Sequence, residues 1–197
     1  MTAVCKTMPA AGIEASCIRN GIDVAAVEAL AAGVQADPAQ GRTSWRIRSQ
    51  WKSGTRSDHL VEGCTLGGTY VPRPFIISVD EPVELGGANQ FANPQEYLLA
   101  ALNACMMVGL AANAALMGIE LTKLEVETSG DIDLRGFLGL DANVPAGYDR
   151  LRQVVTMAGK GSDQQFAALH ERVRATSPNF FNLTRAIPVE SRLAIQR

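Results

Sequence analysis

The sequence is poor in the ligands and motifs that most directly reveal a function. It has two histidines, His59 and His170, and four scattered cysteines, Cys5, Cys17, Cys64 and Cys105, with no CxxC pair. A structural zinc site draws on such residues at close spacing, so no metal and no other cofactor is expected. The same scatter argues against a disulfide framework and for reduced thiols in a reducing compartment. Charge is nearly balanced, 18 Lys and Arg against 20 Asp and Glu, and no basic cluster stands out. Neither nucleic acid nor an anionic membrane surface is therefore an expected partner. Met1 to Pro9 carries a single Lys6 and no continuous apolar segment follows it, so the expectation is a cytoplasmic protein without signal or anchor. There is no GxGxxG after a strand, no GxxxxGK[ST] and no internal repeat, which sets aside dinucleotide-binding, P-loop and solenoid architectures.

What the sequence does have is one long apolar run, Asn93 to Met117, with Cys105 in its middle. Asn93 can accept from first-turn amides, Pro94 fits the first helical position, and Glu96 stands at capping-box spacing. From Tyr97 onward nearly every residue is apolar or small, the mark of a helix buried on all sides. The length would suffice for a membrane span. The run is rich in Ala rather than Leu, contains Asn103 and Asn113, and has no apolar partner segment, so a central helix of a protein core is the better reading. Ala101, Ala104 and Gly109 around Cys105 let another backbone or a ligand come close. Spacing alone leaves two readings open: a buried cysteine acting as a small hydrophobe, or a reactive site.

Residues 1–42 read as a leader with a short helix over Ile22–Ala32, stopped by Gly33 and Asp37-Pro38, and with a mobile start at Met8 to Gly12. Residues 43–197 read as the main domain. Thr43–Trp51 alternates Trp45, Ile47 and Trp51 against Arg46, Arg48 and Gln50, the period of a half-buried strand. A weaker strand over Leu60–Val71 is broken by Gly67-Gly68, and Phe75–Val79 is a stronger one ending at Asp80-Glu81-Pro82. After the central helix come strands over Leu121–Leu134 and Leu151–Met157, separated by a loop from Arg135 to Tyr148. An amphipathic helix starts at Asp163, with Phe166, Leu169 and Val173 on one side. A turn at Thr176 to Asn179 and a last strand near Ala186–Glu190 close the chain. Several strands precede each helix, which predicts an α+β fold with helices packed on antiparallel sheets.

Taken together, Phe75 to Pro82, Gly86-Gly87, Asn93-Pro94-Gln95-Glu96-Tyr97-Leu98-Leu99 to Cys105, Gly118-Ile119-Glu120-Leu121, Leu124 to Glu127, Gly130 to Leu134, Ser177-Pro178 and Ile187 to Glu190 resemble the OsmC/Ohr family of osmotically inducible and organic-hydroperoxide-resistance proteins. The resemblance covers roughly residues 43 to 190. It implies antiparallel sheets wrapped around two central helices, an intertwined homodimer with sites at the subunit interface, and a cysteine peroxidase that reduces hydroperoxides without metal or haem. Cys105 falls on the family's reactive cysteine. The resolving cysteine of the family precedes a proline in the C-terminal segment, and here that position is Ser177.

A serine cannot form the disulfide that closes the family's intramolecular cycle. An external thiol could instead reduce the Cys105 sulfenic acid, Cys64 could resolve it, or this branch has left peroxide chemistry. The family also pairs an arginine with a glutamate. That glutamate falls on Gln95, with Glu96 one residue later. Glu96 stands about 13 Å before Cys105 along the helix, on the opposite side, so its catalytic use would have to cross a dimer interface. Arg56 resembles the family's arginine best, with Arg46, Arg48 and Arg73 as alternatives and His59 as a base of lesser promise. Phe75, Phe91, Phe180 and Phe181 could line an apolar pocket. Two functional expectations follow. One is a one-cysteine thiol peroxidase for organic hydroperoxides that uses Cys105, Arg56, Glu96, Gln95 and Ser177 with an external thiol reductant. The other is a non-catalytic homodimer that binds a small apolar ligand.

Overall fold

The computed structural model describes residues 17–196. Its contacts form two compact units, one ending at Ala100 and one beginning at Ala101, so the division falls within the long helix. The expectations for Met1 to Pro9 and for Met8 to Gly12 lie outside the described residues.

In the first unit a minimal hairpin, β1 (Ile18–Arg19) and β2 (Ile22–Asp23), leads into α1 (Val24–Ala36). Asp23 caps α1 by accepting from the Ala26 amide, and the Asp37 amide closes the far end on the Gly33 carbonyl. The helix therefore runs through Gly33, the predicted stop, and ends where Pro38 has no amide to continue it. A four-stranded antiparallel sheet follows: β3 (Thr43–Trp45), β4 (Arg48–Ser53), β5 (Arg56–Leu66) and β6 (Thr69–Val79). β5 lies at its centre, with β6 along one edge and β4 and β3 sharing the other.

Two strand expectations are corrected here. The weak strand over Leu60–Val71 is the end of β5, a turn and the start of β6. Gly67 and Gly68 have φ of +53° and +83°, the left-handed backbone a tight hairpin needs. The strand expected over Thr43–Trp51 is interrupted at Arg46-Ile47, and Trp45, Ile47 and Trp51 are exposed rather than half-buried. The alternation is that of a half-buried strand, but among the described residues nothing packs over these side chains.

The long helix α2 (Pro94–Leu116) starts as predicted. The Asn93 side chain accepts from the Glu96 amide (2.9 Å) while the Glu96 carboxylate accepts from the Asn93 amide (2.7 Å), with Pro94 at the first position. The second unit adds β7 (Glu120–Gly130), a one-turn helix α3 (Leu134–Phe137), β8 (Leu151–Lys160), α4 (Asp163–Thr176) and α5 (Pro178–Leu183). β7 and β8 pair antiparallel along their whole length. A bulge between Leu121 and Lys123 shifts the alternation by one residue, so that Leu121, Leu124, Val126 and Thr128 share the inner face.

The expected strand over Leu121–Leu134 thus stops at Gly130, the expected loop contains α3, and the expected turn at Ser177 opens a helix. The strand expected near Ala186–Glu190 does not form: these residues have no regular secondary structure and pair with no strand of the described residues.

The core of this unit is a stripe on α2 at helical spacing, Leu102, Met106, Leu110 and Ala114, packed with Leu169 and Val173 of α4 and with the inner faces of β7 and β8. At Gly109 α4 comes close to α2, since a Cβ there would stand 2.8 Å from Val173 Cγ1. By length and composition alone α2 could cross a membrane, a test that a core helix also passes. Its Met106, Leu110 and Ala114 are fully buried in protein. The fold is α+β, as predicted.

Candidate active site

Cys105 is a free, half-buried cysteine on α2. Its polar neighbour is Ser177, 4% exposed, whose hydroxyl donates to Cys105 Sγ at 3.3 Å. Three local features fix that hydroxyl. The Ser177 amide donates to the Val173 carbonyl (2.8 Å) and ends α4, Pro178 occupies the first position of α5, and Ser177 Oγ accepts from the Phe180 amide (3.4 Å). A Ser-Pro pair between two helices thus becomes a rigid corner, with its one free hydroxyl hydrogen aimed at the sulfur. The next residue, Asn179, donates from Nδ2 to the Ala101 carbonyl (2.8 Å), one helical turn before Cys105, and ties the corner to α2. Sequence reasoning missed Asn179, although Ser-Pro-Asn is a turn signal with a side chain free to bond backbone.

Behind the cysteine, Asn103 on α2 accepts from Thr128 of β7 (2.6 Å) and from Gln153 of β8 (3.4 Å), and Gln153 also donates to Thr128 (3.0 Å). This polar triangle fixes the helix against the sheet in register and rotation, which an apolar stripe of Ala and Leu alone does poorly.

Arg56 opens β5 in the first unit. Its guanidinium lies over the Phe91 ring, 5.0 Å from the centroid, with Nη1 3.5 Å from Gln90 Oε1 and Nη2 3.8 Å from Asp58 Oδ1. Its Nε is buried and has no partner among the described residues. A hydrogen bond from Ser78 Oγ, aided by Arg56 and Lys52, holds the Asp58 carboxyl below its usual range. The arginine is thus clamped by an aromatic face, an amide and a carboxylate that stays ionised.

The remaining predicted residues have other engagements. Glu96 is committed to the cap of α2, and Gln95 beside it is exposed. His59 has both ring nitrogens engaged, Nδ1 with Ser49 Oγ (2.7 Å) and Nε2 with Ser57 Oγ (3.0 Å). Arg48 pairs with Glu62, and Arg73 lies over Phe75. Phe180 packs on the core beneath Arg174, whereas Phe181 is half exposed with Arg185 over it. Cys64 is free and buried on β5, while Cys17 is disulfide-bonded. That last point corrects the expectation of reduced thiols, which rested on the absence of a CxxC pair.

The sequence pattern described as OsmC-like protein matches residues 87–192, which contain Cys105 and Ser177. No curated protein matches the chain. Among solved structures, an OsmC-like protein from Mycoplasma pneumoniae is 15% identical, covers 72% of this chain and 87% of its own, and superposes with a TM-score of 0.57. An OsmC-like protein of unknown function from Vibrio cholerae is also 15% identical, over 70% of this chain and 92% of that one, with a TM-score of 0.51. At these identities the likeness shows a shared fold.

Proposed function

The chain belongs to the OsmC-like protein family, and from that premise we propose that it is a one-cysteine thiol peroxidase that reduces organic hydroperoxides. The observation that carries this reading is the Ser177 hydroxyl donating to Cys105 Sγ at 3.3 Å from a rigid corner. A sulfur that serves only as a small hydrophobe needs no oriented donor, whereas a thiolate does.

In the proposed cycle the Cys105 thiolate attacks one oxygen of the hydroperoxide. The O–O bond breaks as an S–O bond forms, the sulfur is oxidised by two electrons to the sulfenic acid, and the departing alkoxide takes a proton to become the alcohol. Arg56 is the cation assigned to the thiolate and the departing oxygen. Ser177 donates a hydrogen bond to the sulfur and takes no part in redox chemistry. An external thiol then attacks the sulfenic sulfur, giving a mixed disulfide and water, and a second thiol releases the Cys105 thiolate and an external disulfide. Gln95 and Glu96 have no role in these steps, and neither metal nor other cofactor is required.

The working form proposed is a homodimer. Trp51 on β4 is 74% exposed and Val108 on α2 70%, with Trp45, Phe75 and Ile76 also more than half exposed. Apolar exposure on that scale marks an interface. The purified protein is expected to sediment at twice its 21.0 kDa chain mass; a monomer at micromolar concentration would remove this part of the proposal.

The chemistry is tested within one chain, using Cys64 as an internal control. After brief exposure to stoichiometric cumene hydroperoxide with a sulfenic-acid trap present, peptide mass spectrometry is expected to place the adduct at Cys105 and none at Cys64. Cys105→Ser is expected to lose the adduct. Equal, slow labelling of both cysteines would sink the peroxidase reading and leave the ligand-binding one.

A further inference from the structure

We propose that Asp80 is a positioning residue for Arg56, its buried carboxylate joining the two segments that hold the guanidinium. For its catalytic consequence this rests on the role given to Arg56 above.

Asp80 follows β6 and is 1% exposed. A carboxylate at such a place normally sits against a cation. Among the described residues, Asp80 has neutral donors instead. Thr55 Oγ1 donates to Oδ1 (2.7 Å), while the Ala88 and Gln90 amides converge on Oδ2 (3.1 and 3.2 Å). These bonds, Thr55 foremost, and the Glu81 backbone amide hold its carboxyl down at about 2, so the group is ionised wherever the protein is folded at ordinary pH.

Both sets of donors lead to Arg56. Thr55 is its chain neighbour, in the turn that enters β5. Gln90 and Phe91 are the residues whose amide oxygen and ring face receive the guanidinium. The segment between Asp80 and α2 is shaped for this convergence. The Asn89 amide reaches back to the Glu81 carbonyl (3.0 Å) with φ of +52°, and the Gly87 amide bonds the Pro82 carbonyl (3.0 Å). A Cβ on Gly87 would collide with the Glu81 carbonyl oxygen, so only glycine permits the turn. One carboxylate therefore locks residues 55–56 to residues 88–91, more than thirty positions along the chain. An arginine on a long flexible stem is most useful as a catalyst when its position is settled in advance.

The test uses the full chain with Asp80→Asn, Thr55→Val and Thr55→Ser, alongside Arg56→Gln. Positioning is read from the rate at which phenylglyoxal modifies Arg56, with exposed Arg152 as internal control. Asp80→Asn and Thr55→Val are expected to speed modification of Arg56 about tenfold, the factor that loss of one hydrogen bond to a charged group gives, and Thr55→Ser to restore the original rate. The catalytic consequence is read from the alkylation rate of Cys105 at pH 6 relative to pH 9, expected to fall in the same two variants toward its value in Arg56→Gln. Unchanged Arg56 modification in folded variants overturns the proposal. Faster modification with a Cys105 profile that Arg56→Gln itself leaves unmoved keeps the positioning and overturns the role given to Arg56. If Asp80→Asn does not fold, Thr55→Val decides, since it leaves the carboxylate and its amide donors in place.

Discussion

Ser177→Cys is expected to convert the cycle from one that waits for an external thiol to one that closes on itself. The Ser177 oxygen already lies 3.3 Å from Cys105 Sγ, and a disulfide needs its sulfurs about 2 Å apart. The longer C–S bond of cysteine supplies part of the difference, and a small shift of the corner supplies the rest. Once Cys105 is a sulfenic acid, a thiol at position 177 attacks it as a neighbour, water leaves and the disulfide forms. Even a small part of the effective molarity available to well-placed groups shortens the life of the sulfenic acid by at least about a hundredfold. One equivalent of cumene hydroperoxide should then give a protein lighter by two hydrogens, with a peptide linking position 177 to Cys105, and no trap adduct. The substitution also has a cost. Ser177 Oγ caps the first turn of α5 by accepting from Phe180, and a thiol is a poor substitute, so the reduced variant should be less stable by about 0.5–2 kcal/mol. A variant that folds, reacts with peroxide and still yields the Cys105 trap adduct would show that the corner is too rigid to close, and would overturn the prediction.

Much of the fold was legible in the sequence because its signals are local. Asn93-Pro94 with Glu96 specifies the start of α2, and the amphipathic helix read from Asp163 is α4. The errors fall where a residue answers to something distant. Trp45, Ile47 and Trp51 alternate as a buried face should, yet nothing among the described residues covers them, and Ala186–Glu190 pairs with no described strand. The bulge at Leu121/Lys123 depends on the partner strand and has no sequence mark of its own.

The candidate site divides in the same way. Cys105 and Ser177 were found through a motif and meet in space across 72 positions. Asp80, Thr55 and Gln90 passed unnoticed, because an aspartate before Glu81-Pro82 reads as the end of a strand and a threonine after Gly54 as part of a turn. The function of these residues lies in a long-range convergence of hydrogen bonds, which composition and periodicity do not encode.

Leu110→Ala is expected to cost the fold about 2–5 kcal/mol, the range for a buried leucine whose surroundings relax only in part. Leu110 is fully buried in the α2 stripe, between Met106 and Ala114 and against the α4 side chains Leu169 and Val173. Those neighbours are themselves fixed by the Asn103–Thr128–Gln153 triangle and by the Ser177 corner, so they cannot easily collapse into the void. The urea midpoint should fall with little change in slope, and by the same amount at every protein concentration. Val108, two residues earlier on the same helix and 70% exposed, supplies the contrast. In a lone chain Val108→Ala would shift stability by no more than about 0.5 kcal/mol. In the proposed homodimer it removes apolar area from an interface, so its effect should be largest at concentrations where the dimer forms and fade as the protein is diluted to monomer. A large effect of Leu110→Ala that does not vary with concentration, beside an effect of Val108→Ala that does, separates the packing one chain achieves alone from the cover it takes from a second. A shift of no more than about 0.5 kcal/mol for Val108→Ala at every concentration would mean that the exposed side of α2 meets no partner.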